Sequence, residues 1–257
     1  MDGRTARFTV AGSGDAVVLV HGLAGSRRWW SPLVPALAAH RRVYALDLPR
    51  PGRTTPPSGW STWLARWLDV AGLERADVIG HSLGGIVAAE FAATCPERVQ
   101  RLVLVAPAGI PCGRGLVGRT LPLAGALAGL GGWLPLVVGD AVRAGPVSVL
   151  RATTFVWTRD LRAELSGVQA PTLLLWGDRD RLVPARVADE WHRILPASRI
   201  AYVSCGHVPM LEAPGQVATE ILSFLGEEPE HDLGDEGRPR VVNGMGLAGN
   251  HDESSAR

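Results

Sequence analysis

Short runs of apolar residues without polar alternation recur along the first 225 residues, and they constrain the fold more than any other feature of the sequence. The runs occupy residues 17–20, 43–46, 77–79, 102–105, 172–176 and 200–203, and turn residues bound them. A strand that is apolar on both faces is typical of a parallel sheet covered by helices on both sides. The sequence therefore predicts a buried, mostly parallel sheet.

Helical patterns lie between these strand signals. One apolar stripe with the spacing of an amphipathic helix consists of Trp60, Trp63, Leu64, Trp67, Leu68 and Ala71. We expect its tryptophans to pack in the core rather than to form a binding platform. A second helix is predicted to begin at Ser82 and to end before Pro96. Strands that alternate with helices indicate an α/β fold.

The alternation divides the chain into three parts. Residues 1–107 and 168–225 carry the strand and helix signals and are expected to form one α/β core. Residues 108–167 are rich in Gly, Leu, Ala and Pro, and they are predicted to form a mostly helical cap above the sheet edge where α/β proteins bind ligands. Residues 226–257 are acidic and lack apolar periodicity, which predicts a disordered tail.

Composition argues against several classes of partner. All 26 basic residues are arginines and the formal net charge is +1. The arginines are scattered in pairs rather than clustered with aromatic residues, so we expect no nucleic-acid binding. The longest apolar stretch, residues 121–138, is interrupted by glycines and prolines, and no stable membrane insertion is expected.

Cysteine usage and the N-terminus indicate the compartment. The three cysteines are an odd number without metal-ligand spacing, which favours reduced thiols and no metal site. Residues 1–4 are not followed by the apolar segment of a secretory signal. We therefore expect a cytoplasmic protein. The sequence does not indicate its oligomeric state.

The segment Gly80-His81-Ser82-Leu83-Gly84 follows a strand signal and opens a helix. This is the context of a nucleophile elbow, where a strained turn exposes a serine hydroxyl and glycines on either side let strand and helix approach. The alternative is an ordinary N-cap serine. The elbow predicts Ser82 as nucleophile and the backbone N–H of Leu83 as one donor of an oxyanion hole.

A serine nucleophile needs a base, and the base needs an orienting acid. His207 follows the last strand signal and is the candidate base, whereas His81, inside the elbow, is expected to pack structurally. Asp178 and Asp180 both follow the preceding strand signal and are both candidates for the acid.

Taken together, these motifs resemble the α/β-hydrolase superfamily over residues 5 to 225. The segments that carry the resemblance are His21-Gly22, Asp47-Leu48-Pro49 with Gly52, the elbow, the loop from Gly177 to Pro184, and Gly206-His207 followed by Glu212-Ala213-Pro214. The resemblance implies an α/β-hydrolase fold with a mostly parallel sheet, helices on both faces and a helical cap insertion, as in the capped esterases and carbon–carbon bond hydrolases.

The resemblance also assigns roles within the site. It implies that Asp180, rather than Asp178, is the triad acid, and that the backbone N–H of Leu23 is the second oxyanion donor. This chain departs from the family in two places. About sixteen residues precede the first central strand, room for one short strand where the family has two, and Arg50-Pro51-Gly52-Arg53 replaces the usual turn.

The expected function is that of a serine hydrolase acting on carboxylic esters of a small apolar substrate, without metal or organic cofactor. Carbon–carbon bond hydrolysis, lactone opening and thioester cleavage use the same triad and stay open. A non-catalytic binding protein on this fold is a further alternative. The leucine-rich cap, with Trp133 and Leu134, suggests an apolar pocket wall, although the same residues would also serve to dock the cap.

Overall fold

The computed structural model of the protein describes residues 6–52, 56–111, 129–195, 197–226 and 242–245. Eight strands in these residues form one sheet in the order β7-β6-β5-β4-β2-β3-β1-β8. The strands are Arg7–Ala11 (β1), Ala16–Val20 (β2), Arg42–Leu46 (β3), Ala76–His81 (β4), Val99–Val105 (β5), Thr172–Gly177 (β6), Arg199–Val203 (β7) and Val242–Met245 (β8). Strands β2 to β7 are parallel, which confirms the predicted mostly parallel sheet.

Helices cover both faces of the sheet. The α-helices are Val34–Ala38 (α1), Trp60–Val70 (α2), Leu83–Thr94 (α3), Leu134–Ala144 (α4), Pro146–Thr158 (α5), Arg186–Ile194 (α6), Pro209–Glu212 (α7) and Pro214–Leu225 (α8). Helices α2, α3 and α6 pack on one face, and α1 and α8 on the other. Within β2, Val18 and Val20 face the first group while Val17 and Leu19 face the second. Both faces are therefore apolar, which is why the strand sequences do not alternate.

The edge beyond β3 is antiparallel. In the described residues a single strand, β1, precedes β2, as the short N-terminal segment predicts. Strand β8 lies in the segment expected to be a disordered tail, and it pairs antiparallel with β1. That expectation is corrected for these four residues, because an edge strand offers unpaired backbone N–H and C=O groups to a nearby segment. The rest of the tail lies outside the described residues.

The described part of the predicted cap is helical. Helices α4 and α5 meet at Gly145, whose φ of 81° favours glycine, while residues 112–128 lie outside the described residues. Phe155 of α5 packs edge-on against Trp60 of α2, with ring centroids 6.0 Å apart. Trp60 and Trp67 are buried, in agreement with their predicted place in the core. Trp63 is half-buried, and it and Trp60 line the cavity described below, so for these two the prediction of a purely structural role is corrected.

Polar contacts also fasten the cap to the core. The buried carboxylate of Asp140 in α4 accepts hydrogen bonds from Ser26 Oγ at 2.7 Å and Trp29 Nε1 at 3.2 Å, and it pairs with Arg28. At the other end of the cap, Arg159 Nε donates to the buried Glu90 of α3 at 2.6 Å. Burial is the main cause that raises the pKa of Glu90, and Arg159 opposes it.

A buried carboxylate lies at the opposite end of the sheet from the elbow. Asp77 of β4 has its oxygens 3.7 Å from Arg41 Nη1 and 3.8 Å from Arg101 Nη1. Burial raises the pKa of Asp77 to about 6, against the two arginines, which lower it.

This raised pKa predicts that Asp77 contributes less stability as the pH rises. Because the pKa is near 3.8 in the unfolded chain, the folded protein binds the extra proton between about pH 4 and pH 6. The wild type should therefore lose about 1 to 3 kcal/mol of unfolding free energy relative to Asp77→Asn between about pH 4 and pH 7. Urea titrations at each pH measure this. Asp69→Asn, at an exposed ion pair, is the control, and a difference that is constant with pH for Asp77→Asn would contradict the prediction.

Candidate active site

Ser82 lies between β4 and α3 with a strained backbone. Its φ of 52° and ψ of −111° lie outside the regions that residues with a side chain normally adopt. Hydrogen bonds hold the turn on both sides: Ser82 N–H donates to Val105 O at 3.0 Å, and Ser82 O accepts from the N–H groups of Gly85 at 3.0 Å and Ala108 at 3.1 Å. The turn has the geometry predicted for a nucleophile elbow rather than that of an ordinary N-cap.

Two glycines make this turn possible. A Cβ atom on Gly80 would lie 2.3 Å from the carbonyl oxygen of Gly84, and one on Gly84 would lie 2.2 Å from that of Val20. Both distances are far below van der Waals contact, and the obstructing atoms are backbone. Helix α3 can therefore approach β2 and β4 only where these side chains are missing.

His207 bridges Ser82 and Asp180. Ser82 Oγ lies 3.1 Å from His207 Nε2, and His207 Nδ1 lies 2.7 Å from Asp180 Oδ2. All three residues are buried. An ionised carboxylate only accepts hydrogen bonds, so Asp180 favours the tautomer with the proton on Nδ1. The lone pair of Nε2 then faces the serine hydroxyl.

The structure distinguishes the two aspartates of the acid loop. The second oxygen of Asp180 accepts from the N–H groups of Leu182 at 2.8 Å and Val183 at 2.9 Å, which fixes the carboxylate towards His207. Asp178 is exposed, and its carboxylate accepts from Ser204 Oγ at 3.2 Å. Only Asp180 contacts His207.

Glu212 of α7 holds the loop that carries His207, a contact that the sequence does not predict. Its carboxylate accepts from Gly206 N–H at 2.7 Å and Val208 N–H at 2.9 Å, one residue on each side of the histidine. The side chain fits closely, since a Cβ atom on Gly206 would lie 2.9 Å from Glu212 Oε2. Glu212 thereby positions His207 without touching its ring.

His81 packs against His207, as its place inside the elbow predicts for a structural residue. Its Nε2–H donates to the carbonyl oxygen of His207 at 2.8 Å, and the two rings lie 5.1 Å apart. Burial, followed by the nearby His207, lowers the pKa of His81 to about 3. His81 is therefore neutral at physiological pH.

His21 shapes the loop that carries Leu23. Its Nδ1–H donates to Gly22 O at 2.8 Å, and its Nε2 accepts from Leu48 N–H at 3.0 Å. Burial lowers its pKa, so this imidazole is neutral as well. The carbonyl of Gly22 also accepts from Gly25 N–H at 3.1 Å. In a trans peptide the carbonyl and the next N–H point in opposite directions, so Leu23 N–H points away from this turn.

The loop and the elbow touch each other. A Cβ atom on Gly22 would lie 3.3 Å from Ser82 Cβ and 2.6 Å from His81 Nδ1. Leu83 is the first residue of α3, where a backbone N–H has no acceptor within the helix. The predicted donors Leu23 and Leu83 thus belong to two segments that meet beside Ser82.

A cavity of about 450 Å³ lies beside these segments. Such a volume suits a small molecule. Its core wall includes His21, Gly22, Gly25, Leu48, Trp60, Trp63 and Leu83, and its cap wall is formed by Asp140, Arg143, Ala144, Ser148, Val149 and Ala152. Among the described residues, no group of three or more His, Cys, Asp or Glu side chains is arranged to hold a metal ion.

The cap wall differs from the expected leucine-rich wall. Trp133 and Leu134 are exposed and do not line the cavity. The helix containing Leu134 turns another face inward, because the buried Asp140 fixes its rotation against Ser26 and Trp29. Leu130 and Leu136, also expected in this wall, are buried and half-buried, and neither lines the cavity. The remaining cap leucines of the predicted wall, at 116, 121, 123 and 127, lie outside the described residues.

Comparison with known proteins gives a consistent result. A sequence model described as the alpha/beta hydrolase family matches residues 17–220. The chain is 31% identical to a pimeloyl-[acyl-carrier protein] methyl ester esterase of Nitrosomonas europaea, over 80% of this chain and 93% of that protein. It is 29% identical to a 2-hydroxy-6-oxo-2,4-heptadienoate hydrolase of Pseudomonas putida, over 84% of this chain and 91% of that protein.

A solved structure agrees as well. The crystal structure of a bacterial membrane phospholipase A superposes with a TM-score of 0.72 at 27% identity, over 86% of this chain and 82% of that one.

The two hydrogen bonds that Glu212 accepts predict that replacing it with glutamine lowers the stability of the protein. Glu212→Gln keeps one acceptor but turns an NH₂ group towards a backbone N–H, so one partly buried donor loses its partner. We expect a loss of about 1 to 3 kcal/mol in the free energy of unfolding, measured in urea. The control is Glu220→Gln in α8, which breaks an exposed ion pair with Arg199 and should cost less than about 1 kcal/mol. Equal costs for the two variants would contradict the role of Glu212.

Proposed function

The chain belongs to the α/β hydrolase family, and we propose that it is a serine hydrolase that cleaves carboxylic esters of small, largely apolar substrates. The observation that carries this proposal is the buried contact of His207 with Ser82 on one side and Asp180 on the other. A base within hydrogen-bond reach of a serine, itself oriented by a carboxylate, is the arrangement that makes a hydroxyl nucleophilic.

In the acylation step, Ser82 Oγ attacks the ester carbonyl carbon while His207 Nε2 takes the hydroxyl proton. The tetrahedral intermediate carries a negative oxygen, and His207 carries a positive charge that Asp180 stabilises. When the carbon–oxygen bond of the ester breaks, His207 returns the proton to the leaving alkoxide. The products are an alcohol and an acyl group on Ser82.

In the deacylation step, a water molecule replaces the alcohol. His207 Nε2 takes one proton of the water as its oxygen attacks the acyl carbon, and the Ser82 oxygen then leaves and recovers a proton from His207. The carboxylic acid departs, and the enzyme returns to its first state.

The developing oxyanion requires fixed donors. We assign this role to the N–H groups of Leu83 and Leu23, since both lie on segments that meet at Ser82 and neither depends on side-chain chemistry. A donor of this kind is worth about 3 kcal/mol of transition-state stabilisation. The neutral His21 supports the second donor by holding the carbonyl of Gly22 away from the site.

The cavity and the relatives support an ester as the substrate. The cavity has aromatic and aliphatic groups such as Trp60 and Leu48, which suit a small acyl chain, beside charged side chains such as Asp47, Arg50 and Arg143. One relative is by name a methyl ester esterase. A second candidate function, hydrolysis of a carbon–carbon bond, is favoured by the similarity to the heptadienoate hydrolase. Turnover of matched ester and diketone substrates separates the two.

Covalent labelling tests the nucleophile. We expect a fluorophosphonate probe to add one adduct to the intact protein, detected by mass spectrometry, and Ser82→Ala to abolish it. Ser148→Ala is the matched control, because Ser148 lines the cavity beside the elbow and has no assigned role in the chemistry. Labelling that survives in Ser82→Ala would overturn the proposal. A binding protein without catalysis would show no turnover of p-nitrophenyl esters.

Two substitutions in the loop from Gly177 to Pro184 test which aspartate orients His207. Asp180→Asn reverses the hydrogen bond to His207 and favours the wrong tautomer, so we expect kcat on p-nitrophenyl acetate to fall by a factor on the order of 10⁴. Asp178→Asn changes an exposed carboxylate in the same loop and should alter kcat by less than about threefold. The opposite ranking would assign the acid to Asp178.

A further inference from the structure

The outer surface of the cap concentrates exposed apolar side chains. Nine large apolar side chains are exposed across the described residues, and seven of them lie between residues 133 and 157. These seven, which we call the cap patch, are Trp133, Leu134, Val138, Val142, Val147, Leu150 and Trp157. Single exposed apolar residues are normal, but a group of this kind on neighbouring helices marks an interaction surface.

The patch follows the helical repeat. In α4, residues 134, 138 and 142 are spaced by four, and in α5 residues 147, 150 and 157 are spaced by three and seven. Val137, Asp140 and Ala152 on the same helices are buried. The inner face of each helix thus packs against the protein, while its outer face is also apolar. On that outer face Val142 is 75% exposed and Leu150 is 66% exposed. A helix at a protein–water boundary normally presents polar residues outward.

The exposed charged residues within helices α4 and α5 have one sign. Between residues 98 and 159 the sequence contains a single acid, Asp140, and its carboxylate is buried against the core. Arg143 and Arg151 are exposed on the patch helices. Arg143 lines the cavity and pairs with Asp140 at 3.0 Å, which leaves Arg151 as the exposed cation of the outer face. Helices α4 and α5 carry two arginines and one acid, and this net positive charge complements an anionic surface.

We infer that the cap patch docks on the surface of a lipid bilayer that contains anionic headgroups. Apolar side chains on one face of a helix enter the boundary between headgroups and acyl chains, and arginines at the rim contact phosphates. The docking does not require the chemistry proposed above.

The geometry favours a bilayer surface over two alternatives, which are a membrane-spanning helix and a second copy of the chain. No single helix in the described part of the chain is long and apolar enough to cross a bilayer, and α4 and α5, together with the turn at residues 131–133, meet that criterion only as a pair bent by 100°. The inner faces of α4 and α5 form the cavity wall, so the two helices would lie flat on a bilayer rather than enter it. A second copy docked through the same patch would bring its own Arg151 close to this one, and the single acid of α4 and α5, Asp140, is buried.

The cap patch and the cavity lie on opposite faces of the same two helices. Ala144, Ser148, Val149 and Ala152 line the cavity from the inner faces of the two helices whose outer faces carry the patch. A docked cap would therefore bring the cavity next to the membrane surface, where apolar esters concentrate.

The experiment measures binding of the full chain to vesicles, in a Ser82→Ala background so that hydrolysis plays no part. Co-sedimentation is compared for phosphatidylcholine vesicles and for vesicles with a third of phosphatidylglycerol. We expect binding to the anionic vesicles. The double variant Val142→Ser/Leu150→Ser should lower the partition coefficient by at least about tenfold. Arg151→Gln should lower it about fivefold on anionic vesicles only.

Val70→Ser is the matched control, since Val70 is exposed in α2, away from the patch, and should not change binding. Unchanged melting temperatures establish that the variants fold, and Arg151→Gln tests the surface independently of the double variant. A chain that does not sediment with anionic vesicles overturns the inference, as does equal binding by wild type and the double variant. A dimer in light scattering that the double variant abolishes would assign the patch to a second copy and overturn it too.

Discussion

The close approach of helix α3 to the centre of the sheet is the constraint on which the rest of the site depends. Gly80 and Gly84 leave no room for a side chain between β4, α3 and β2, and this contact forces Ser82 to adopt its strained φ of 52°. The strain is offset by hydrogen bonds to the flanking strand ends. The same turn that directs the hydroxyl towards His207 also presents Leu83 N–H at the helix start, so the proposed nucleophile and the proposed oxyanion donor are positioned together.

Around this turn, the loops after four parallel strands contribute separate parts, and their electrostatics divide the histidines. His21 and His81 are buried and have lowered pKa values, so they act as neutral hydrogen-bonding groups that fix neighbouring backbone. His207 alone of the three contacts both a hydroxyl and a carboxylate. Its backbone is held from two directions, by Glu212 through the adjacent N–H groups and by His81 through its carbonyl. The position of His207, the proposed base, is therefore fixed by these contacts without a substrate.

The cap depends on polar anchors for its orientation. Asp140 ties α4 to the loop that follows β2, and Arg159 ties the end of α5 to Glu90. Because these buried groups must keep their partners, the rotation of each cap helix is fixed, and one face lines the cavity while the other is presented outward. The outer face is therefore apolar because apolar residues occupy those positions of two firmly anchored helices, and not because the helices pack loosely. Helices α4 and α5 therefore carry the cavity wall on one face and an exposed apolar surface on the other.

Features with local signals are predictable from the sequence alone. Uninterrupted apolar runs follow from burial on both faces of a strand, and the glycines at 80 and 84 follow from one tight turn, so the sheet, the elbow and the chain order serine, aspartate, histidine were predictable. Which aspartate meets His207 is settled by tertiary contacts, since Asp178 and Asp180 differ by two residues but point to different surroundings. The same holds for Glu212, for the pairing of β8 with β1, and for the outward direction of Trp133 and Leu134. Each of these depends on contacts between segments distant in the chain or on the rotation of a helix, and neither leaves a periodic trace in the sequence.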